Sequence, residues 1–171
     1  MSRADELNVE QLLAAMSADL RRHLQQAGID HPLMIGIHTG GVWVARRLHH
    51  ALGLEEPLGT LNISFYRDDF SRIGVHPQVT PSTLPVTVEN RHIILVDDVL
   101  QTGRTVRAAL NEIFDYGRPA SVTLAVLVDL PGRELPFEAA VSGTHLELEP
   151  GQQIKLEGPE PLRLAIRGRA A

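Results

Sequence analysis

Asp97 and Asp98 stand out as the side chains best placed to do chemistry, because a small polar turn follows them, Gln101-Thr102-Gly103-Arg104-Thr105. Adjacent carboxylates can accept hydrogen bonds from the 2′- and 3′-hydroxyls of a ribose. They also offer the oxygen ligands that magnesium prefers, leaving it several of its waters. The Thr102 and Thr105 hydroxyls add donors, and Gly103 lets the backbone approach a ligand closely. Upstream, Ile93, Ile94, Leu95 and Val96 form an apolar run short enough to be a buried parallel strand. Downstream, Val106, Ala109, Leu110, Ile113 and Phe114 recur at helical spacing. The N-terminus of that helix favours a phosphate, through its unpaired N–H groups and its dipole. Strand, acidic pair, Thr/Gly turn and helix, in that order, predict a sugar-phosphate site. It is not a Walker A loop, because GxxxxGK[ST] is absent, and the chain has no GxGxxG.

Other elements must position this turn. Val9, Leu12, Leu13, Met16, Leu20 and Leu24 mark an amphipathic helix, with Asn8 as its N-cap and Gly28 as its stop. Leu33 to Ile37 reads as a first buried strand. Gly40-Gly41 break the chain, and Val42, Ala45, Leu48 and Leu52 give the next helix. Leu61, Ile63 and Phe65 alternate with polar residues as a second strand. From Arg67 to Pro85 the pattern dissolves around Pro77, Pro81 and Pro85, and so long an irregular stretch predicts a functional lid. Val122 to Val128 is another apolar, partly β-branched run. Strands alternating with helices predict an α/β fold with a largely parallel sheet flanked by helices.

In such a sheet, ligands bind beyond the C-terminal ends of the strands. The turn Ile37-His38-Thr39-Gly40-Gly41 falls there too, and its backbone N–H groups could hold a second phosphate group. Tyr66-Arg67-Asp68-Asp69 opens the expected lid, where Arg67 could swing onto negative charge and Asp68 or Asp69 could contact magnesium waters or pair with Arg67.

Composition bounds the class. The chain has 171 residues, enough for one domain with a real core. There is no cysteine, which excludes disulfides and thiol chemistry. No apolar run approaches the roughly 18 residues a membrane span needs, and no signal-peptide core opens the chain, so a cytoplasmic protein is expected. The net charge is −5, with Lys155 the only lysine beside fifteen arginines. That balance weighs against binding nucleic acid through overall charge and leaves room only for a local patch, to which Arg21-Arg22 and Arg46-Arg47 could contribute. The eight histidines are scattered without zinc-ligand spacing.

VDDVLQTGRT, Val96 to Thr105, resembles the phosphoribosyl-pyrophosphate (PRPP) motif of type I phosphoribosyltransferases. With SFYRDDFS at Ser64–Ser71 and GRPASVTLAVLVDLPGRELP at Gly117–Pro136, the pattern is closest to the PyrR family, from about Asp5 to about Pro136. The resemblance implies a single type I phosphoribosyltransferase domain over residues 1–171, with a flexible lid near 67–90 and a small C-terminal hood near 129–171. It implies transfer of phosphoribose from PRPP to uracil, giving UMP and pyrophosphate with Mg²⁺. In many bacteria that family also binds pyr-operon messenger RNA. By this likeness Arg67, Asp97 and Asp98 are catalytic, and Asp97, Asp98 and Asp68 serve the metal. Thr39, Gly40, Gly41, Gln101, Thr102, Gly103, Arg104, Thr105, Leu130 and Arg133 bind substrate, with Asp129, Leu130 and Arg133 as candidates for reading the base.

Purine-salvage relatives carry a carboxylate where this chain has Gln101, which cannot act as a general base, so a pyrimidine is expected. The relatives' loop after the first strand commonly holds a non-proline cis peptide. This chain departs from the family at Gly40, where an arginine is usual, and at Gly143–Gly151, which reads GTHLELEPG in place of a lysine-bearing GKNIPTS-like segment. Two other classes stand beside the uracil enzyme: an RNA-binding attenuation regulator that senses UMP or PRPP, and a phosphoribosyltransferase for another base. The family's habit implies a homodimer or a higher homo-oligomer.

Overall fold

The computed structural model of the chain describes residues 7–63 and 82–168. The first helix, α1 (Val9–Ala27), begins where Asn8 Oδ1 accepts the Gln11 N–H at 3.2 Å. It ends where Gly28 takes a left-handed φ of 68°. β1 (Leu33–Ile37) is buried along its whole length, and α2 (Gly40–Leu52) begins with the Gly-Gly pair. β2 (Gly59–Leu61) is shorter than the alternation of Leu61, Ile63 and Phe65 predicts. Ile63 is buried yet lies outside the strand, and Phe65 lies outside the described residues. β3 (His92–Leu100), α3 (Arg104–Tyr116), β4 (Ser121–Asp129) and β5 (Val141–His145) complete the main layer.

Four parallel pairings set the sheet order β2-β1-β3-β4-β5. The chain runs outward from β1 to β2, returns across β1 to β3, and then proceeds the other way. β1 and β3 therefore flank the topological switch point of a doubly wound sheet, where the connections diverge and leave a crevice at the strand C-termini.

The side chains sort the two faces as alternation requires. Met34, Ile94 and Val96 join Leu13, Met16 and Leu20 of α1 and Val44, Ala45 and Leu48 of α2 in one core. Leu33, Ile35, Ile37, Ile93 and Leu95 join Val106, Ala109 and Ile113 of α3 in the other. A strand covered on both faces is apolar at successive positions, which explains the unbroken runs in the sequence.

Three expectations need correction. The strand carrying the acidic pair does not stop at Val96. Its ladder to β4 continues through Asp97↔Val126 and Leu100↔Asp129. The expected lid span is too long. Thr83 and Thr60 exchange two 2.8 Å backbone hydrogen bonds, and Val88 is buried, so residues 82–90 pack onto the body. The expected hood is divided: β5 belongs to the main sheet, while β6 (Gln152–Glu157) and β7 (Arg163–Gly168) form a separate antiparallel ribbon. Among the described residues, no helix is long and apolar enough to cross a membrane.

Candidate active site

The two turns predicted from sequence meet at the switch point. A Cβ on Gly41 would lie 2.7 Å from the Val96 carbonyl oxygen and 3.0 Å from Asp97 Cα, both backbone atoms of β3. Only glycine lets the β1–α2 turn close against the strand that carries the acids. One residue earlier, a Cβ on Gly40 would overlap Asp98 Oδ2 and stand 2.8 Å from its Cγ. Where the resemblance implies an arginine, this chain leaves room for the Asp98 carboxylate. The His38–Thr39 peptide is cis, as the resemblance implies. Desolvation, and then the nearby Arg46, hold the His38 pKa below the usual imidazole value, which favours a neutral ring beside this turn.

Asp97 is buried and Asp98 partly buried. Asp97 Oδ1 accepts the Asp98 N–H at 2.9 Å, and Asp98 Oδ1 accepts the Val99 N–H at 2.8 Å. These bonds hold one oxygen of each carboxylate against the C-terminal part of β3. Among the described residues, no group of three or more acidic, histidine or cysteine side chains could hold a metal. Two carboxylates fit magnesium, which typically takes one or two from a protein and fills its remaining positions with substrate phosphate and water. Asp98, beside the β1–α2 turn, and Asp97, next to it, are the residues that would serve such an ion.

The β3–α3 turn forms a small cavity of about 220 Å³ lined by Val99 to Gly103, Thr105 and Val106. Gly103 has a φ of 92°, a conformation that disfavours a Cβ. Thr102 Oγ1 accepts the Arg104 N–H at 3.2 Å. The first-turn N–H groups of α3 have no acceptor within the helix, which leaves this end suited to phosphate. Arg104 itself is exposed and lies 3.5 Å from Glu134, so its side chain turns to that partner. Thr39 is exposed at the rim, and Gln101 is exposed at the head of the second turn.

A larger cavity of about 520 Å³ opens beyond the C-terminal ends of β4 and β5, lined by Asp129, Leu130, Pro131, Arg133, His145, Leu146 and Glu147. The base-reading candidates Asp129, Leu130 and Arg133 therefore share one cavity. Sequence reasoning missed His145, the β-sheet neighbour of Asp129, whose Nδ1 lies 3.6 Å from Asp129 Oδ2. The departure at GTHLELEPG was its only signal. The Arg133 guanidinium is held by four hydrogen bonds. Nε donates to the Phe137 carbonyl and Nη1 to those of Gln101 and Leu130, all at 2.8 Å, while Nη2 donates to Asp129 Oδ1 at 2.6 Å. Leu130 is buried, and its backbone N–H donates to the Leu100 carbonyl at 2.9 Å. Arg67, Asp68 and the rest of Tyr66–Asp69 lie outside the described residues.

Three of the four paired arginines have partners within the chain. Arg21 donates to the Ala51 carbonyl, Arg22 pairs with Asp19, and Arg47 bonds Glu10.

The phosphoribosyl transferase domain family matches residues 4–154. The bifunctional protein PyrR of Nitrosococcus oceani is 61% identical over 163 residues, covering 94% of this chain and 92% of that one. The bifunctional protein PyrR of Pseudomonas paraeruginosa is 60% identical over 157 residues, covering 92% of each. The likeness thus extends well past Pro136, where the motifs alone suggested that it fades. Among solved structures, a purine phosphoribosyltransferase from Pyrococcus horikoshii superposes with a TM-score of 0.62 at 25% identity, over 82% of this chain and 84% of that one. A hypoxanthine phosphoribosyltransferase from Staphylococcus aureus, at 16% identity and a TM-score of 0.63 over 85% and 78%, shares the fold. Matched by the domain family over most of its length and by these PyrR relatives over more than nine-tenths of it, the chain belongs to the phosphoribosyltransferases and, among them, to the PyrR family.

Proposed function

We propose that the chain transfers the phosphoribosyl group of PRPP to uracil, releasing pyrophosphate and UMP. The observation that carries this reading is the meeting of the Gly40-Gly41 turn with Asp97 and Asp98, beside the Thr102–Thr105 phosphate turn. In this reading the 5′-phosphate occupies the β3–α3 turn, and Asp97 and Asp98 accept hydrogen bonds from the ribose hydroxyls. The β1–α2 turn offers N–H groups to the pyrophosphate. Uracil N1 forms the new bond to ribose C1 as the bond from C1 to the pyrophosphate oxygen breaks, and the N1 proton leaves to solvent. The transition state has oxocarbenium character, so catalysis rests on positioning and on neutralising the leaving group. When bound, Mg²⁺ supplies part of that neutralising charge. Arg67 is assigned to the same task from sequence.

The cavity beside Asp129 and His145 is the proposed base site. Gln101 supports a pyrimidine, since an amide cannot take the proton that a purine-selective carboxylate would. A regulatory role on pyrimidine messenger RNA stands beside the enzyme, favoured by the bifunctional relatives, and the cytoplasm is where such substrates meet. The test is steady-state pyrophosphate release with Mg²⁺, PRPP and each of uracil, hypoxanthine, guanine and orotate. Turnover with uracil alone is expected. Turnover with a purine but not uracil would overturn the base assignment.

A further inference from the structure

We infer that Arg133 is a positioning residue that ties the base cavity to the phosphate turn, in place of a residue that touches the base. The inference rests on the PRPP–uracil reading above. Four donated bonds from one guanidinium reach three carbonyl oxygens and one carboxylate. They join residues far apart in sequence: Gln101 at the head of the β3–α3 turn, Leu130 and Asp129 at the end of β4, and Phe137 beyond. A guanidinium has five N–H donors in a rigid planar fork, which suits it to several fixed acceptors at once. With four bonds made, little of it is left for a ligand.

The rest of the 133–137 segment backs the same turn. The Thr102 carbonyl accepts N–H groups from Glu134 and Leu135, at 2.9 and 3.0 Å. A Cβ on Gly103 would stand 3.0 Å from Phe137 Cδ2 and 3.3 Å from Leu135 Cβ, so these residues sit directly behind the turn. The bond from Arg133 Nε to the Phe137 carbonyl closes the segment on itself. The phosphate turn is therefore buttressed by the loop that also walls the base cavity, and Arg133 is its keystone. The same contacts orient Asp129, whose other carboxylate oxygen faces His145. One side chain thus sets the registry between the phosphate and base ends of the substrate pair.

The experiment titrates Mg²⁺–PRPP, without base, into the wild type, Arg133→Lys and Arg133→Gln by calorimetry. KM and kcat for PRPP and uracil, together with the unfolding temperature, are read in parallel. Losing charge-assisted bonds at the turn should weaken PRPP binding about tenfold in both variants. KM for uracil should rise as well, with a smaller change in kcat. Arg133→Lys keeps the positive charge but cannot span four acceptors, so it keeps the test readable if Arg133→Gln does not fold. Unchanged PRPP affinity with a raised KM for uracil alone would overturn the inference and return Arg133 to direct base contact. Unchanged values for both would overturn it too. If the wild type binds PRPP yet uses no uracil, the uracil assignment fails, and the binding titration still decides the role of Arg133.

Discussion

The two turns at the switch point are built by opposite means. The β1–α2 turn is shaped by missing side chains: at Gly41 the next atoms are the backbone of β3, and at Gly40 they are the carboxylate of Asp98. The β3–α3 turn is shaped by added bonds, from Thr102 Oγ1 in front and from the Arg133–Phe137 segment behind. The first turn should therefore break when atoms are added, and the second, although Gly103 also disfavours a Cβ, should break when bonds are removed. In the proposed reading, a phosphoribosyl donor bridges both turns and depends on each kind of construction.

The largest effect is expected at Gly41. Gly41→Ala sets a methyl against strand backbone that cannot yield, so overpacking should cost about 1–3 kcal/mol. A fall of several degrees in unfolding temperature, with loss of PRPP binding, would bear this out. Gly40→Ala meets a side chain that can rotate, so the two glycines should separate. Stability should be nearly kept while PRPP affinity falls as Asp98 is displaced, readable by calorimetry beside a melting curve. At the second turn, Thr102→Val removes the acceptor for the Arg104 N–H and should cost about 0.5–1.5 kcal/mol by urea denaturation, with weaker PRPP binding.

The smallest effect concerns the helix behind that turn. Glu112 of α3 is buried; its Oε1 accepts the Ser82 hydroxyl, which itself accepts the Asn62 N–H, and Oε2 has no hydrogen-bond partner among the described residues. Desolvation raises the Glu112 pKa above the usual carboxylate value, against the opposing Ser82 bond and with help from Asp115. The folded state then holds this proton more tightly than the unfolded chain. The resulting stability is fully present below the unfolded-state pKa and is lost as pH rises through the higher folded-state pKa. Glu112→Gln should remove this dependence, so its stability relative to the wild type should improve between acid and neutral pH. A pH-independent difference between the two would contradict the assignment.

Much of this was legible in sequence because short-range chemistry encoded it. The Asn8 cap, the Gly28 stop, β1 and the Gln101-to-Thr105 turn all follow from residue types at fixed spacing. What was not legible depends on distant contacts. No local signal says that Arg133 would reach back to Gln101, 32 residues away. Nor does alternation reveal that β2 would stop at Leu61 while Ile63 remained buried. The pairing of β5 with β4 is likewise a long-range fact, and it brings His145 beside Asp129.

The most direct test of the account is a calorimetric titration of Mg²⁺–PRPP into the wild type and the Asp97→Asn, Asp98→Asn double variant. The account predicts saturable binding to the wild type and none to the double variant, with far-ultraviolet circular dichroism unchanged. Undiminished PRPP affinity in the folded double variant would contradict the assignment of the β3 terminus as the phosphoribosyl site.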